Sequence, residues 1–259
     1  TQSWARVAPR CPKFGFGPGS CGGCTMQHIE PNAQVAFKER ILMDTLWHIG
    51  KVKPENVLPP IRGPFWNYRH RARLTVRDVA KKGGVLVGFH EKASSYVCDM
   101  HACPILTQNV SDMIDPLREL ISVLDMRQRM PQIEVAVDGR TALVFRHLDP
   151  VSPEDMEKLL AFGRAHGADI WLQPKGPETA HAVNPEDEKK LGLELTEFGV
   201  RIAFKPTDFT QVNHALNETM VGRAVRLLGL EPDHKVADFF CGLGNFTLPR
   251  PLLPAGDRY

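Results

Sequence analysis

Three cysteines within the first 24 residues constrain the fold of this chain more than any other feature. The segment between Cys11 and the pair Cys21 and Cys24 is rich in Gly and Pro, and these residue types let a backbone form tight turns. A fourth cysteine, Cys103, comes much later and directly precedes a proline. A Cys-x2-Cys pair with a third nearby cysteine and a distant Cys-Pro is typical of zinc or iron–sulfur sites, and the Cys-Pro dipeptide favours iron–sulfur. The pattern predicts one metal centre that joins the start of the chain to the segment around residue 103.

Other interpretations of the thiols stay open at this point. A disulfide pair or free thiols would need no metal. However, six unevenly clustered cysteines in 259 residues fit metal ligands in a reducing compartment better than a secreted disulfide framework. Cys98 competes with Cys103 for the fourth ligand position, although a small buried residue is its better interpretation.

The composition indicates a soluble globular protein, with 42% hydrophobic and 24% charged residues. A formal net charge of +2 is too small to indicate a nucleic-acid partner by itself. No apolar run reaches the roughly 18 residues of a membrane span, and nothing resembles a signal peptide. We therefore expect a cytoplasmic location and no membrane partner.

The positive charge is concentrated between residues 62 and 82, where seven basic residues accompany one acid. Within this stretch, residues 71–77 alternate as a strand does, with arginines on one face. Trp66, Tyr68 and His70 are interleaved. Such a face can meet phosphates while its rings stack on unpaired bases, and the alternative is an ordinary solvated sheet face.

Hydrophobic periodicity predicts an α+β arrangement up to about residue 205 and an α/β arrangement after it. The elements expected before residue 205 are helices at 34–48, 108–124 and 152–167, hairpins around 81–84 and Asp138-Gly139, a surface loop at 173–190 and a strand at 195–204. A helix from 210 to about 228 and a strand at 235–239 follow.

The strand predicted at 235–239 leads into the turn Cys241-Gly-Leu-Gly-Asn245. Glycines after a strand let a nucleoside-bearing cofactor approach the backbone at the carboxyl end of that strand. The third glycine of the dinucleotide fingerprint is absent, and no phosphate-loop Gly-Lys-Ser/Thr occurs. On its own this pattern is weak, because an ordinary tight turn has the same composition.

Residues 238–249, preceded by Phe209-Thr-Gln-Val-Asn213, closely resemble the S-adenosylmethionine site of the RNA (uracil-5-)-methyltransferases. The cysteines resemble the cluster ligands of the branch of that family that modifies 23S ribosomal RNA. The resemblance implies three sets of site residues: [4Fe–4S] cluster ligands Cys11, Cys21, Cys24 and Cys103; S-adenosyl-L-methionine contacts Gln211, Phe240 and Asn245; and RNA-binding arginines Arg69, Arg71 and Arg73.

The same resemblance implies an architecture in two parts. Residues 1–205 are expected to form a central α+β iron–sulfur and RNA-binding domain, whose helix at 34–48 can pack on the next domain. Residues 206–259 are expected to begin a Rossmann-like α/β S-adenosylmethionine-dependent methyltransferase domain, truncated in this sequence. We expect a monomer that acts on 23S ribosomal RNA.

The implied activity is methylation of a specific uridine at C5. In the family mechanism a cysteine thiolate adds to C6 of the uracil and an acidic base removes the C5 proton. The family places both groups later than this sequence runs, so the chain is expected to contain no catalytic residue and to be inactive alone. The alternatives are a non-catalytic iron–sulfur RNA-binding module and a zinc-stabilised domain.

Overall fold

A six-stranded mixed sheet forms the centre of the computed structural model, which describes residues 3–189, 191–231 and 233–249. Its strands are β1 (Arg71–Val79), β2 (Gly84–Gly88), β3 (Gln132–Asp138), β4 (Arg140–Arg146), β5 (Ala168–Gln173) and β6 (His181–Ala182). They are arranged in the order β2-β1-β3-β4-β5-β6. Only the β4–β5 pair is parallel. A separate antiparallel hairpin consists of β7 (Gly192–Leu195) and β8 (Val200–Ala203).

Five α-helices accompany the strands in the described part of the chain. They are α1 (Pro31–His48), α2 (Gln108–Asp112), α3 (Ile114–Ser122), α4 (Pro153–His166) and α5 (His214–Leu228). Helix α4 makes the crossover that the parallel β4–β5 pair requires. The sequence signals at its start are confirmed: the Ser152 side chain accepts a hydrogen bond from the Asp155 amide at 3.1 Å, and proline occupies the first turn.

The central sheet is covered on both faces. Alternate residues of its strands, such as Leu143 and Phe145 of β4, belong to a core shared with α3 and α4. The residues between them, such as Val144, belong to a second core with the β7–β8 hairpin and with Val221 of α5. These contacts make a mixed α+β fold. The domain boundary predicted at 205/206 stays a prediction.

Three predictions of secondary structure were wrong. The helix predicted at 108–124 is two helices that meet at Met113, because Pro116 lacks the N–H that a continuous helix would need there. The strand predicted at 195–204 is interrupted at Gly199, whose φ of +59° turns β7 back into β8. The strand predicted at 235–239 does not form, since no described strand pairs with it.

The loop predicted at 173–190 is more ordered than its polar composition indicated. It contains β6, and Ala180 and Asp187 in it are buried. No helix in the described ranges combines the length and apolar character needed to cross a membrane.

Candidate metal centre and cofactor-binding turn

The structure brings the four predicted ligands to one small cavity. Cys11, Cys21, Cys24 and Cys103 all line it, between the N-terminal loop, the end of β2 and the segment that precedes α2. The other lining residues are Lys13, Phe14, Gly23, Gln27, Phe89, Met100, Ala102 and Ile105. Four sulfur donors in a largely apolar surround suit a soft metal or an iron–sulfur cluster.

Backbone contacts fix the N-terminal loop against the end of β2. Cys21 forms an isolated β-bridge with Glu91, and the Gly22 amide donates to the carbonyl oxygen of His90 at 2.9 Å. A Cβ on Gly22 would lie only 3.1 Å from that oxygen, so a residue without a side chain suits this position. The loop closes on itself through the Cys11 amide, which donates to Gln27 Oε1 at 3.0 Å.

Burial disfavours the charged form of these thiols in the absence of a metal. It raises the pKa of Cys21 and Cys24, and it raises the pKa of Cys103 to about 11. The proximity of the thiols to one another acts in the same direction. A bound cation would reverse this balance, because a coordinating thiol is held as the thiolate.

Cys98 lies beside this cavity but does not line it. Its side chain is fully buried, and its thiol donates to the carbonyl oxygen of Gly19 at 3.4 Å. Burial raises its pKa to about 11. All six cysteines of the chain are free thiols in the structure.

The three arginines predicted to bind RNA have different surroundings. Arg71 and Arg73 lie on the same face of β1 and both pair with Glu134 of β3, which is only 3% exposed. Arg71 also donates to the backbone carbonyl oxygens of Thr207 and Asp208. The Arg73 side chain remains 62% exposed and can reach a solvent-side partner. Arg69 precedes β1, and its guanidinium lies over the ring of Phe89 at 5.8 Å, beside the cysteine cavity.

The aromatic rings of the basic stretch serve the fold itself. Trp66 and Tyr68 pack against the main core, and the guanidinium of Arg10 lies 5.2 Å from the Trp66 ring centroid. His70 stacks on His214 of α5 with ring centroids 4.2 Å apart and an interplanar angle of 9°. Burial first, and then the proximity of His70, lowers the pKa of His214 to about 4.

The glycine-rich turn adopts the backbone that its sequence indicated. Gly242 and Gly244 have φ angles of +56° and +90°, and Phe240 also lies in the left-handed region at +63°. The Phe240 ring is fully exposed, and Gln211 is exposed as well. The Thr247 hydroxyl donates to Asp238 at 2.5 Å, which ties the two ends of the turn together.

An amide pair joins this turn to α5. Asn245 donates to Asn217 Oδ1 at 2.8 Å, and Asn217 donates back to Asn245 Oδ1 at 2.9 Å. Asn217 is 1% exposed, so this exchange satisfies a buried polar group. No hydrogen bond within the described residues links Gln211 or Phe240 to Asn245.

Sequence reasoning missed Asn217, Glu134 and His214 as residues that shape the site. A faint signal existed for Asn217, because an amide four residues after the helix-capping Asn213 lies on the same helix face. For Glu134 there was no signal, since its contact with Arg73 depends on the register of β1 against β3.

Comparisons with known proteins identify related sequences over nearly the whole chain. A protein of Bordetella avium (strain 197N) named 23S rRNA (uracil(1939)-C(5))-methyltransferase RlmD is 56% identical over 250 residues, which are 96% of this chain and 52% of that protein. The RlmD of Bordetella pertussis is 57% identical over 94% of this chain and 52% of its own length. That of Cupriavidus necator is 56% identical over 96% of this chain and 55% of its own length.

The chain therefore spans about half the length of the curated relatives it matches. No family model matches the sequence. Among solved structures, the fold is similar to the Pyrococcus abyssi tRNA (uracil-54, C5)-methyltransferase in complex with S-adenosyl-L-homocysteine, with a TM-score of 0.63 and 20% identity over 94% of this chain and 56% of that one. This likeness concerns the fold, while the sequence identities confirm the resemblance stated above. Over about half the length of each of those relatives, the chain is similar to proteins named as RNA (uracil-C5)-methyltransferases of 23S ribosomal RNA.

Proposed function

We propose that this chain is the metal-centre and RNA-binding part, with the start of the cofactor domain, of an enzyme that methylates a uridine of 23S ribosomal RNA at C5. The convergence of four cysteines from distant parts of the chain on one cavity is the observation that carries the proposal. The names of the relatives support the reaction and the RNA substrate. S-adenosyl-L-methionine is the methyl donor in this proposal.

A [4Fe–4S] cluster is the group proposed for the cavity, held by Cys11, Cys21, Cys24 and Cys103. The donor set fits it, because four thiols and apolar neighbours surround the same small space. Such a cluster would link the N-terminal loop to the segment that precedes α2. The proposed role is structural, since the ligands come from two segments that are far apart in the sequence.

Gln211, Phe240 and Asn245 are the proposed contacts of S-adenosyl-L-methionine. Asn245 is held in place by Asn217, which orients its amide, and the exposed ring of Phe240 offers a flat face to an adenine or a sulfonium. The role of Asn217 in this arrangement is positional.

No cysteine in the chain has the surroundings of a catalytic nucleophile. Cys98 is fully buried with a raised pKa, Cys241 is exposed in the cofactor-binding turn, and the other four line the proposed cluster cavity. We therefore propose that these 259 residues do not methylate RNA alone. Turnover by them alone would contradict this assignment.

The test is methyl transfer from radiolabelled S-adenosyl-L-methionine to a structured 23S ribosomal RNA fragment, with the full-length protein purified anaerobically. We expect methylated uridine from the intact protein, and none from an enzyme without its methyl donor. Absence of transfer by intact protein that contains iron and sulfide would reject the proposal.

Cofactor binding separates this function from a non-catalytic RNA-binding module. Asn245→Ala is expected to weaken S-adenosyl-L-methionine binding to the full-length protein in calorimetry while RNA binding is kept. Asn184→Ala, at an exposed asparagine distant in sequence from the basic stretch and from the glycine-rich turn, is the matched control and should change neither. Wild-type protein that binds RNA and shows no affinity for the cofactor would favour the binding module.

A further inference from the structure

Arg69 differs from the other basic residues of its stretch in being directed towards the cysteine cavity. Its backbone is fixed by the segment that follows Cys103: the Arg69 amide donates to the Ile105 carbonyl at 2.8 Å, and the Thr107 amide donates to the Arg69 carbonyl at 3.3 Å. Ile105 lines the cavity, and so does Phe89, over whose ring the Arg69 guanidinium lies. The position of Arg69 is therefore set by the walls of the cavity.

The guanidinium of Arg69 lacks the carboxylate partner that Arg71 and Arg73 have. Within the described ranges no Asp or Glu oxygen forms an ion pair with it, whereas Arg71 and Arg73 both pair with Glu134. Its Nε atom is buried and has no hydrogen-bond partner among the described residues. A buried donor without an acceptor is costly, so an acceptor or a negative charge is expected nearby.

The ring under the Arg69 guanidinium belongs to a residue of the cavity wall. Phe89 lines the cavity together with Cys24 and the other three predicted ligands, and the guanidinium lies 5.8 Å from its ring centroid. Arg69 therefore places a positive charge beside the wall of the cavity that holds the four thiols.

We propose that Arg69 acts on the metal centre through its charge. Its guanidinium offsets the negative charge that four thiolates bring to the cavity. The inference rests on the proposed cluster and adds a determinant of its properties. A cluster held by four thiolates is negatively charged and becomes more so when it accepts an electron. A fixed cation beside it favours the reduced form and raises the reduction potential, which charge and hydrogen bonds around a cluster are known to set.

The experiment compares Arg69→Met, which keeps an apolar stem over Phe89 without the charge, with Arg69→Lys, which keeps the charge. Arg77→Met is the control, because Arg77 is an exposed arginine of β1 and its guanidinium donates to the carbonyl oxygen of Val76, a residue that does not line the cavity. Full-length proteins are purified anaerobically, their iron and sulfide are measured, and their midpoint potentials are determined by spectroelectrochemical titration.

We expect a more negative midpoint potential in Arg69→Met, a value close to wild type in Arg69→Lys, and no change in Arg77→Met. Equal midpoint potentials in all four proteins would overturn the proposal. Equal shifts in the Met and Lys variants would overturn it as well, because the packing of the side chain and not its charge would then set the potential. If Arg69→Met does not fold, Arg69→Gln takes its place.

Two further results distinguish this inference from the proposed function. Weaker binding of 23S ribosomal RNA by Arg69→Met with an unchanged potential would assign the guanidinium to RNA and overturn the inference alone. Wild-type protein that contains no iron or sulfide after anaerobic purification would overturn the cluster and the inference together.

Discussion

Glu134 pairs with two of the arginines on β1, Arg71 and Arg73. Its carboxylate is almost fully buried between them and accepts from Arg73 Nε at 2.9 Å. A buried carboxylate is stable only when it is paired, so Arg71 and Arg73 compensate Glu134 as much as it orients them. Arg73 remains largely exposed and Arg71 does not, which makes Arg73 the better placed of the two to meet a phosphate.

Glu134→Gln is expected to lower the free energy of unfolding by about 1–2 kcal/mol, because charge-assisted hydrogen bonds become neutral ones. The exposure of Arg73 keeps this loss small. Urea denaturation measures it. Glu119→Gln, at an exposed position of α3, is the control and should stay within about 0.5 kcal/mol of wild type. Equal stability of both variants would contradict the importance of the pair.

His214 gives the fold a pH dependence of its own. Its pKa falls from the ordinary 6.5 to about 4 because the ring is buried beside His70. Below pH 6.5 the unfolded chain binds a proton at this position that the folded chain does not bind. The contribution of neutral His214 to the free energy of unfolding is therefore complete above pH 6.5, and it is lost as the pH falls towards 4.

His214→Phe, which can still stack on His70, is expected to remove this part of the pH dependence, worth about 2–3 kcal/mol at most. The measurement is urea unfolding of both proteins between pH 7 and pH 4. Nearby carboxylates such as Asp138, 4.0 Å from His214 Nδ1, titrate in both proteins, so the difference between the two curves isolates His214. Curves that stay parallel through this range would show that His214 does not carry the effect.

At the scale of whole elements, local patterns predicted most of what formed. The alternation of Arg71 to Arg77 placed Ala72, Leu74 and Val76 in the core, as observed. Patterns failed where a single residue or a distant partner decided the outcome. Pro116 and Gly199 interrupted elements whose hydrophobic period continued through them. The strand at 235–239 needed a neighbouring strand, and no local pattern contains that information.

The sequence predicted some contacts of the candidate site and not others. The spacing of the cysteines predicted that four thiols lie together, because a metal site needs its ligands close to one another. The four thiols do line one cavity. The pairing of Asn245 with Asn217 could not be predicted, since it depends on how the turn docks on α5. The separate surroundings of Arg69 likewise depend on where the segment after Cys103 lies.

Helix α1 formed as predicted, yet it buries little within the described chain. Ala33 is its only buried residue there, and Ile41 and Leu42 are 63% and 57% exposed. Its apolar residues suit the packing on a further domain that the sequence predicted, and that packing stays a prediction.

Ile41→Ala is therefore expected to change the free energy of unfolding of this chain by less than about 0.5 kcal/mol. Leu117→Ala, at a fully buried position of α3, is the comparison and should cost about 2–5 kcal/mol. Chemical denaturation of both variants gives the two values. A loss of more than about 1 kcal/mol for Ile41→Ala in these 259 residues would show that α1 already packs against them.

For the molecule as a whole, the four cysteines bring the N-terminal loop next to the segment that precedes α2. Cys103→Ser is expected to lose bound iron and to lower stability, because metal binding to such a site is coupled to folding. Cys98→Ser removes an equally buried thiol that does not line the cavity and should retain its iron. Anaerobic iron analysis and thermal unfolding give the comparison, and the opposite pattern of iron loss would make Cys98 the fourth ligand.

The distance in sequence between Cys24 and Cys103 also sets an order of events during synthesis. Three sulfurs leave the ribosome first, and the fourth emerges only after β1 and β2 have been translated. An inorganic centre that requires all four cannot be completed on a nascent chain shorter than this. If the proposed [4Fe–4S] cluster is bound, its assembly can be completed only after the first hairpin has been translated.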